Sequence, residues 1–228
     1  MCARFSLSNP GRLAERYPGF RSRTPYRPRF NIAPTQDVLA VRAGGDGTIE
    51  TLRWGLVPAW AEDPTIGARL INARAETLAE KRAFRDALFS RRCVIFADGF
   101  FEWTGDKARR QPYRITVDGG VPFAFAGLYE RWEAGENPLE TCTIVTVPAN
   151  ALLAGLHDRM PAILRDDAIE GWLNGTVEEA LAAIGPYDPA HMGKYPVTPQ
   201  MNHHAFEDPR AIEPIAPLPV APSLFDAP

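Results

Sequence analysis

Four short stretches carry residue types and spacings that could do covalent or acid–base chemistry, and Cys2 is the first. A small second residue favours removal of Met1, which would leave a free α-amine and a thiol on neighbouring carbons. A neutral α-amine can add to an aldehyde to give a Schiff base, and the adjacent thiolate can then close a five-membered thiazolidine ring. With a pKa near 7.8, about 15% of such an amine is neutral at pH 7, against well under ~0.1% of a typical lysine. The thiol, at about 8.5, keeps a small thiolate fraction. Neither step needs a metal or a cofactor. A thiol by itself carries no geometry, so Cys2 alone establishes no chemistry.

The second stretch is ADGFFEW, residues 97–103, where Glu102 stands between Phe101 and Trp103. Burial against that aromatic surface would raise its pKa and suit it to general acid–base work. Period-two alternation offers the opposite reading, a strand carboxylate facing water with aromatics facing in. In GLHDRMP, residues 155–161, His157 follows an apolar segment and precedes Asp158, Arg159 and a proline. A histidine at such a helix end or loop can transfer protons, or simply sit on the surface. In LINARAET, residues 70–77, Asn72 and Arg74 are two apart and share a face if the segment is extended. An amide and a guanidinium there could grip a sugar and a phosphate; a turn into a helix is the alternative. RWGLVPAW (residues 53–60) and FNIAP (residues 30–34) bring aromatics and prolines into loops that could stack on bases, although tryptophans are commonly core.

These side chains need a scaffold, and 228 residues with 45% hydrophobic and 23% charged suffice for a sizeable core. VLAVRA and TIETLR flank Gly44-Gly45-Asp46-Gly47 and read as a β-hairpin. Residues 76–89 read as a helix burying Leu78, Phe84 and Leu88. VIFADGFFEW, PYRITV, PFAFAGLYE and TCTIVTV read as strands. ANALLAGL, DDAIEGWL and TVEEALAAI read as short helices, the last with a capping box between Thr176 and Glu179, and KYPVTP as a return to the sheet. The pattern predicts one α+β domain over residues 2–206, a curved, barrel-like mixed β-sheet flanked by short helices. Six prolines after Glu207 predict an extended, partly disordered tail over residues 207–228.

Composition narrows the function. No run reaches the eighteen or so apolar residues of a membrane helix, and the N-terminus lacks a signal-like apolar stretch, so a cytoplasmic protein is expected. Cys93 and Cys142 lie in strand-like apolar runs and read as buried hydrophobes. There is no C-x-x-C, and adjacent His203 and His204 are poorly disposed for one metal. Net charge is −3, yet Arg4, Arg12, Arg16, Arg21, Arg23, Arg27 and Arg29 face only Glu15 in the first thirty residues. Lys107, Arg109 and Arg110 make a second basic knot. Local basic faces permit short phosphate contacts, though from charge alone a solvated surface is the simpler reading.

MCARF, FNIAP, RWGLVPAW, INARAET, RRCVIFADGFFEW, QPYRI, TIVTVPAN and LHDRMPAIL occur in one order that resembles the SOS response-associated peptidase family, from Cys2 to about Asn202. The resemblance implies a single domain that binds single-stranded DNA and crosslinks covalently to abasic sites, as a monomer without a cofactor. Carried over by position, Cys2 resembles the nucleophile and Asn72 the residue orienting its amine and the opened sugar. Glu102 resembles the acid–base that assists dehydration, and His157 the group that helps open the sugar. Arg4, Asn31, Pro34, Trp60, Arg74, Thr146 and Arg159 fall where the family places DNA contacts and a wedge. Ala3 stands where the family most often has Gly, and Pro199 interrupts a stretch that is usually serine-containing. Two rival chemistries remain at this point: a cysteine peptidase using Cys2 with His157, and a noncovalent binder of damaged DNA.

Overall fold

The computed structural model describes residues 2–22, 25–105 and 110–218. Its first strands are β1 (Phe5–Leu7), β2 (Arg21–Ser22), β3 (Arg29–Ile32), β4 (Asp37–Arg42), β5 (Thr48–Trp54) and β6 (Asn72–Arg74). Then come β7 (Arg92–Ala97), β8 (Gly99–Thr104), β9 (Gln111–Val117), β10 (Phe123–Trp132) and β11 (Leu139–Pro148). The last are β12 (Arg159–Pro161), β13 (Ile163–Leu164) and β14 (Met192–Pro196). The helices are short: α1 (Leu13–Arg16), α2 (Arg85–Ser90), α3 (Ile169–Asn174) and α4 (Val177–Ala182).

Five of these strands close on themselves in the order β4–β5–β11–β10–β7 and back to β4. The β5–β11 pairing is parallel and the other four are antiparallel, so the barrel is mixed. Closure leaves these five strands without a free edge. Trp54, Ile95, Phe125, Leu128 and Ile144 are fully buried along it, as are Cys93 and Cys142. This is the α+β, barrel-like mixed sheet that the alternating patterns predict. The hairpin across residues 44–47 forms as β4 and β5, and the capping box of Thr176 and Glu179 starts α4.

A second sheet, β14–β9–β8–β1–β3, lies against the barrel. The chain leaves the barrel at Ala97 and enters this sheet at Gly99, so Asp98 is the corner between them. Phe5 of β1 reaches back into the barrel, edge-on to Trp54 and Phe125 at centroid distances of 5.1 and 5.8 Å. Gly99 has no room for a side chain, since a Cβ there would lie 2.5 Å from Arg114 Nε. Gly99→Ala is therefore expected to cost about 1–3 kcal/mol and lower Tm by roughly 3–10 °C in a thermal melt. An unchanged Tm would mean that Arg114 moves aside cheaply.

Three expectations need correction. Residues 76–89 are not one helix: a 3₁₀ turn (Ala75–Thr77) and separate turns lead to α2, which begins only at Arg85. Leu78, Phe84 and Leu88 are buried as expected, and isolated turns anchored on the core satisfy the same periodicity as a continuous helix. ANALLAGL likewise forms consecutive single turns, in which Ala154 and His157 N–H donate to the Asn150 and Leu153 carbonyls. The segment expected as a tail is held against the second sheet as far as Leu218, whose N–H donates to Gln111 Oε1 at 2.9 Å. Glu207 accepts from the Asn31 N–H and pairs with Arg29 at 3.1 Å. Asp208 caps a turn at Pro209–Ile212, and Ala211 is buried with Phe101, Val197 and Met201. Prolines are compatible with a tied-down segment when side chains supply its partners. Residues 219–228 lie outside the described residues, as do Met1, Arg23, Lys107 and Arg109.

Candidate active site

Cys2 is fully buried, just ahead of β1. Its thiol donates to the Arg4 carbonyl at 3.7 Å, and its own carbonyl accepts from Asn72 Nδ2 at 2.7 Å. Asn72 opens β6, which runs parallel to β11 in the register Ile144↔Asn72 and Thr146↔Arg74. Asn72 Oδ1 is buried and has no hydrogen-bond partner among the described residues. A buried, unmatched acceptor beside Cys2 is a place where a donor from a ligand or a free amine would be stabilised.

Glu102 belongs to β8, the strand paired to β1 through Phe5↔Phe100 and Ser6↔Gly99, with Phe101 N–H on the Arg4 carbonyl. It is 3% exposed, so the water-facing reading of FFEW fails. The outer face of β8 is covered, since Phe101 packs with Met201 and Ala211 and Trp103 Nε1 donates to Asn202 Oδ1 at 2.6 Å, while Phe100, on the face that carries Glu102, is buried in the main core. Burial pushes the Glu102 carboxyl up to about 7. The Cys2 thiol is raised too, by burial first and by the Glu102 charge second, so it rests protonated. These two groups therefore sense each other, and Asp158 adds a smaller field at Glu102.

His157 ends the turns after β11. Its Nδ1 lies 2.6 Å from Asp158 Oδ1 and also 3.0 Å from the Arg159 N–H. One nitrogen cannot donate to the carboxylate and accept from the amide at once. Burial lowers the His157 pKa, outweighing the pull of Asp158, which favours the neutral ring.

The residues expected to meet DNA divide into two groups. Pro34 is half-buried, Arg74 is exposed, and Trp60 is 44% exposed with the Arg82 guanidinium 4.4 Å above its ring. The others are tied inside the protein. Asn31 is buried, receives Arg4 at 2.9 Å, and turns its amide towards the carbonyls of Met201, His203 and Phe206. Pro199 opens the 3₁₀ turn that brings the Met201 carbonyl to Arg4. Thr146 is buried. Arg159 makes a two-pronged pair with Glu76 at 2.7 and 2.9 Å and also donates to the Thr146 carbonyl. This pair holds the Glu76 carboxyl below its ordinary value.

Reading by motif missed several of these partners. Glu76 lies inside INARAET, and Asp98 inside ADGFFEW, but nothing local marks either as the mate of a distant arginine. A depression of about 530 Å³ lined by Asp118, Arg165, Tyr187 and His191 shares no residue with the Cys2 cluster. Arg165 there is already paired to Asp167. The better candidate for chemistry is Cys2, where a buried thiol, the shifted carboxyl and the unmatched amide meet.

A barrel with a buried N-terminal thiol beside an amide and a carboxyl defines a class that comparison identifies. Residues 1–204 match the family model described as SOS response associated peptidase (SRAP), and the chain belongs to that family. It is 43% identical over 222 residues to a Bacillus subtilis protein named abasic site processing protein YoqW, covering 93% of this chain and 99% of that one. It is 30% identical over 230 residues to abasic site processing protein YedK of Escherichia coli, covering 94% and 100%. A crystal structure of a Bacteroides thetaiotaomicron protein superposes with a TM-score of 0.85 at 28% identity, covering 94% of this chain and all of that one.

Proposed function

We propose that this chain processes abasic sites by covalent capture, with Cys2 closing a thiazolidine on the lesion in single-stranded DNA. The observation that carries the reading is the buried cluster of Cys2, Asn72 and Glu102, with an unmatched Asn72 oxygen and a carboxyl poised near neutrality. The relatives' names support abasic-site processing. The chemistry begins once Met1 has been removed.

His157, as the neutral ring, assists opening of the sugar to its C1′ aldehyde. The neutral Cys2 amine adds to that carbon, and Asn72 Oδ1 accepts one of the amine hydrogens, which fixes the lone pair toward the aldehyde. The carbinolamine loses its hydroxyl as water when protonated Glu102 supplies a proton. The resulting iminium carbon is attacked by the Cys2 sulfur, whose proton passes to the Glu102 carboxylate just formed. Ring closure yields a neutral thiazolidine, with one water released and no oxidant consumed. A high thiol pKa suits this order. The thiol waits as a neutral group while the amine reacts, and loses its proton only when an electrophile is beside it.

The test is a denaturing gel. Mature protein, with loss of Met1 verified by intact mass, is mixed with single-stranded DNA carrying one abasic site or none. A shifted band that requires the lesion and forms without borohydride is the expected result. Absence of that band overturns covalent capture, and cleavage of peptides or reversible, salt-sensitive binding would then point to the rival chemistries.

The Arg159 fork adds a separable expectation. A phosphate that engages Arg159 must displace the Glu76 carboxylate. Glu76→Gln is expected to tighten binding of undamaged single-stranded DNA about threefold to tenfold by fluorescence anisotropy. Weaker binding would mean that the pair instead holds Arg159 in place for DNA.

A further inference from the structure

β1 is three residues long and pairs with β8 through only two residue pairs, while its pairing with β3 is irregular between Phe5 and Leu7. So short a ladder specifies register weakly, and a one-residue slip would reverse the facing of every side chain on it. Asp98 supplies what the ladder lacks. Its Oδ1 accepts from Ser6 Oγ at 2.7 Å and from Arg114 at 2.9 Å. Its Oδ2 accepts from Ser8 N–H at 2.5 Å, Ser8 Oγ at 2.6 Å and Asn9 N–H at 3.2 Å. The carboxylate is 1% exposed, and the Arg114 side chain 7%. Behind it, Arg114 also donates to Tyr195 Oη at 2.8 Å, and that hydroxyl donates to the Ile212 carbonyl at 3.0 Å. Ile212 lies beyond the residues matched by the family model.

We propose that Asp98 is a positioning residue for covalent capture, clamping β1 in the register that sets Cys2 beside Asn72 and Glu102. The inference rests on the capture reading above. Asp98 sits at the corner that starts β8, four residues before Glu102, so one carboxylate ties the strand after the nucleophile to the strand of the acid–base. Ser6 and Ser8, two apart, grip it from β1 and the residue beyond, while Phe5, just before them, is held in the barrel. The buried Arg114 cation matches the charge of Asp98, so five donors can converge on it without a bare buried anion. Asp98 touches neither Cys2 nor the lesion; it acts through β1.

The test compares mature wild type, Asp98→Asn and Ser8→Ala in single-turnover crosslinking to abasic single-stranded DNA at saturating concentration. Each is assayed well below its own Tm, and affinity for the same DNA is measured in a Cys2→Ala background. Asp98→Asn turns an amide donor towards donors and should slow crosslinking at least about tenfold, with affinity unchanged within about twofold. Ser8→Ala removes one hydroxyl, leaves the ion pair intact, and should slow it about threefold. A purely structural role would lower Tm and leave the rate at saturation alone. Ser8→Ala at the wild-type rate overturns the proposal even if Asp98→Asn does not fold, and so does folded Asp98→Asn at that rate. Wild type that forms no adduct at all overturns the capture function itself, and the positioning role with it.

Discussion

Mature Cys2→Ser protein is expected to lose its stable adduct with abasic DNA, retaining only a linkage that survives after borohydride reduction. Serine keeps the α-amine, so the Schiff base can still form. It lacks the sulfur that closes the ring, and an imine left open hydrolyses. The yield of adduct on a denaturing gel without borohydride should fall at least about 100-fold, while the reduced yield falls far less. The same small side chain fits the buried site, where the Cys2 carbonyl and not its thiol holds Asn72. A full yield of stable adduct from Cys2→Ser would show that the thiol is not needed, and would sink the thiazolidine.

Glu102→Gln is expected to slow crosslinking by about 10²-fold or more while DNA affinity stays near the wild-type value. Burial pushes this carboxyl up to about 7, so both forms are populated near neutrality. The acid form serves dehydration, and the carboxylate receives the thiol proton. The wild-type rate should therefore bend near pH 7, and the bend should vanish in the amide variant, leaving only the titration of the amine. Stability follows with a defined sign. A carboxyl raised by folding contributes stability that is fully present below its unfolded value, near 4.3, and is lost as pH rises through about 7. The melting temperature of wild type should fall more between pH 4.5 and 7 than that of Glu102→Gln. Equal slopes, or an unmoved pH–rate bend, would remove Glu102 from the acid–base role.

The sequence by itself determined the strands and the chemical inventory. Alternating apolar runs gave the hairpin of β4 and β5 and most of the longer strands, because period two is a local property that each segment carries alone. The order of motifs from MCARF to LHDRMP was enough to point to the family that residues 1–204 then matched. Cys2, Asn72, Glu102 and His157 could be named because each lies inside such a motif. The facing of Glu102 could not be read, since alternation allowed water or core equally. It was decided by the segment after Thr198, which packs Met201 and Ala211 against Phe101 and so covers the outer face of β8.

Only the tertiary structure decided which side chains answer one another. Asp98 with Ser6, Ser8 and Arg114, Asn31 with Arg4 and the 201–206 carbonyls, and Glu76 with Arg159 are pairings across 16 to 175 residues. The residue types at those positions are ordinary for loops and strand ends, so no local pattern announces them. Parallel closure of β5 onto β11, and of β6 beside it, sets Asn72 against Ile144 in the sheet, with its side chain on the Cys2 carbonyl. The segment after Glu207 shows the same limit. Its prolines remove local structure, yet Glu207, Ala211 and Pro214 are held by contacts that exist only once the second sheet has formed. Local periodicity fixes which backbone pairs with itself; burial of a polar atom fixes which distant partner it must find.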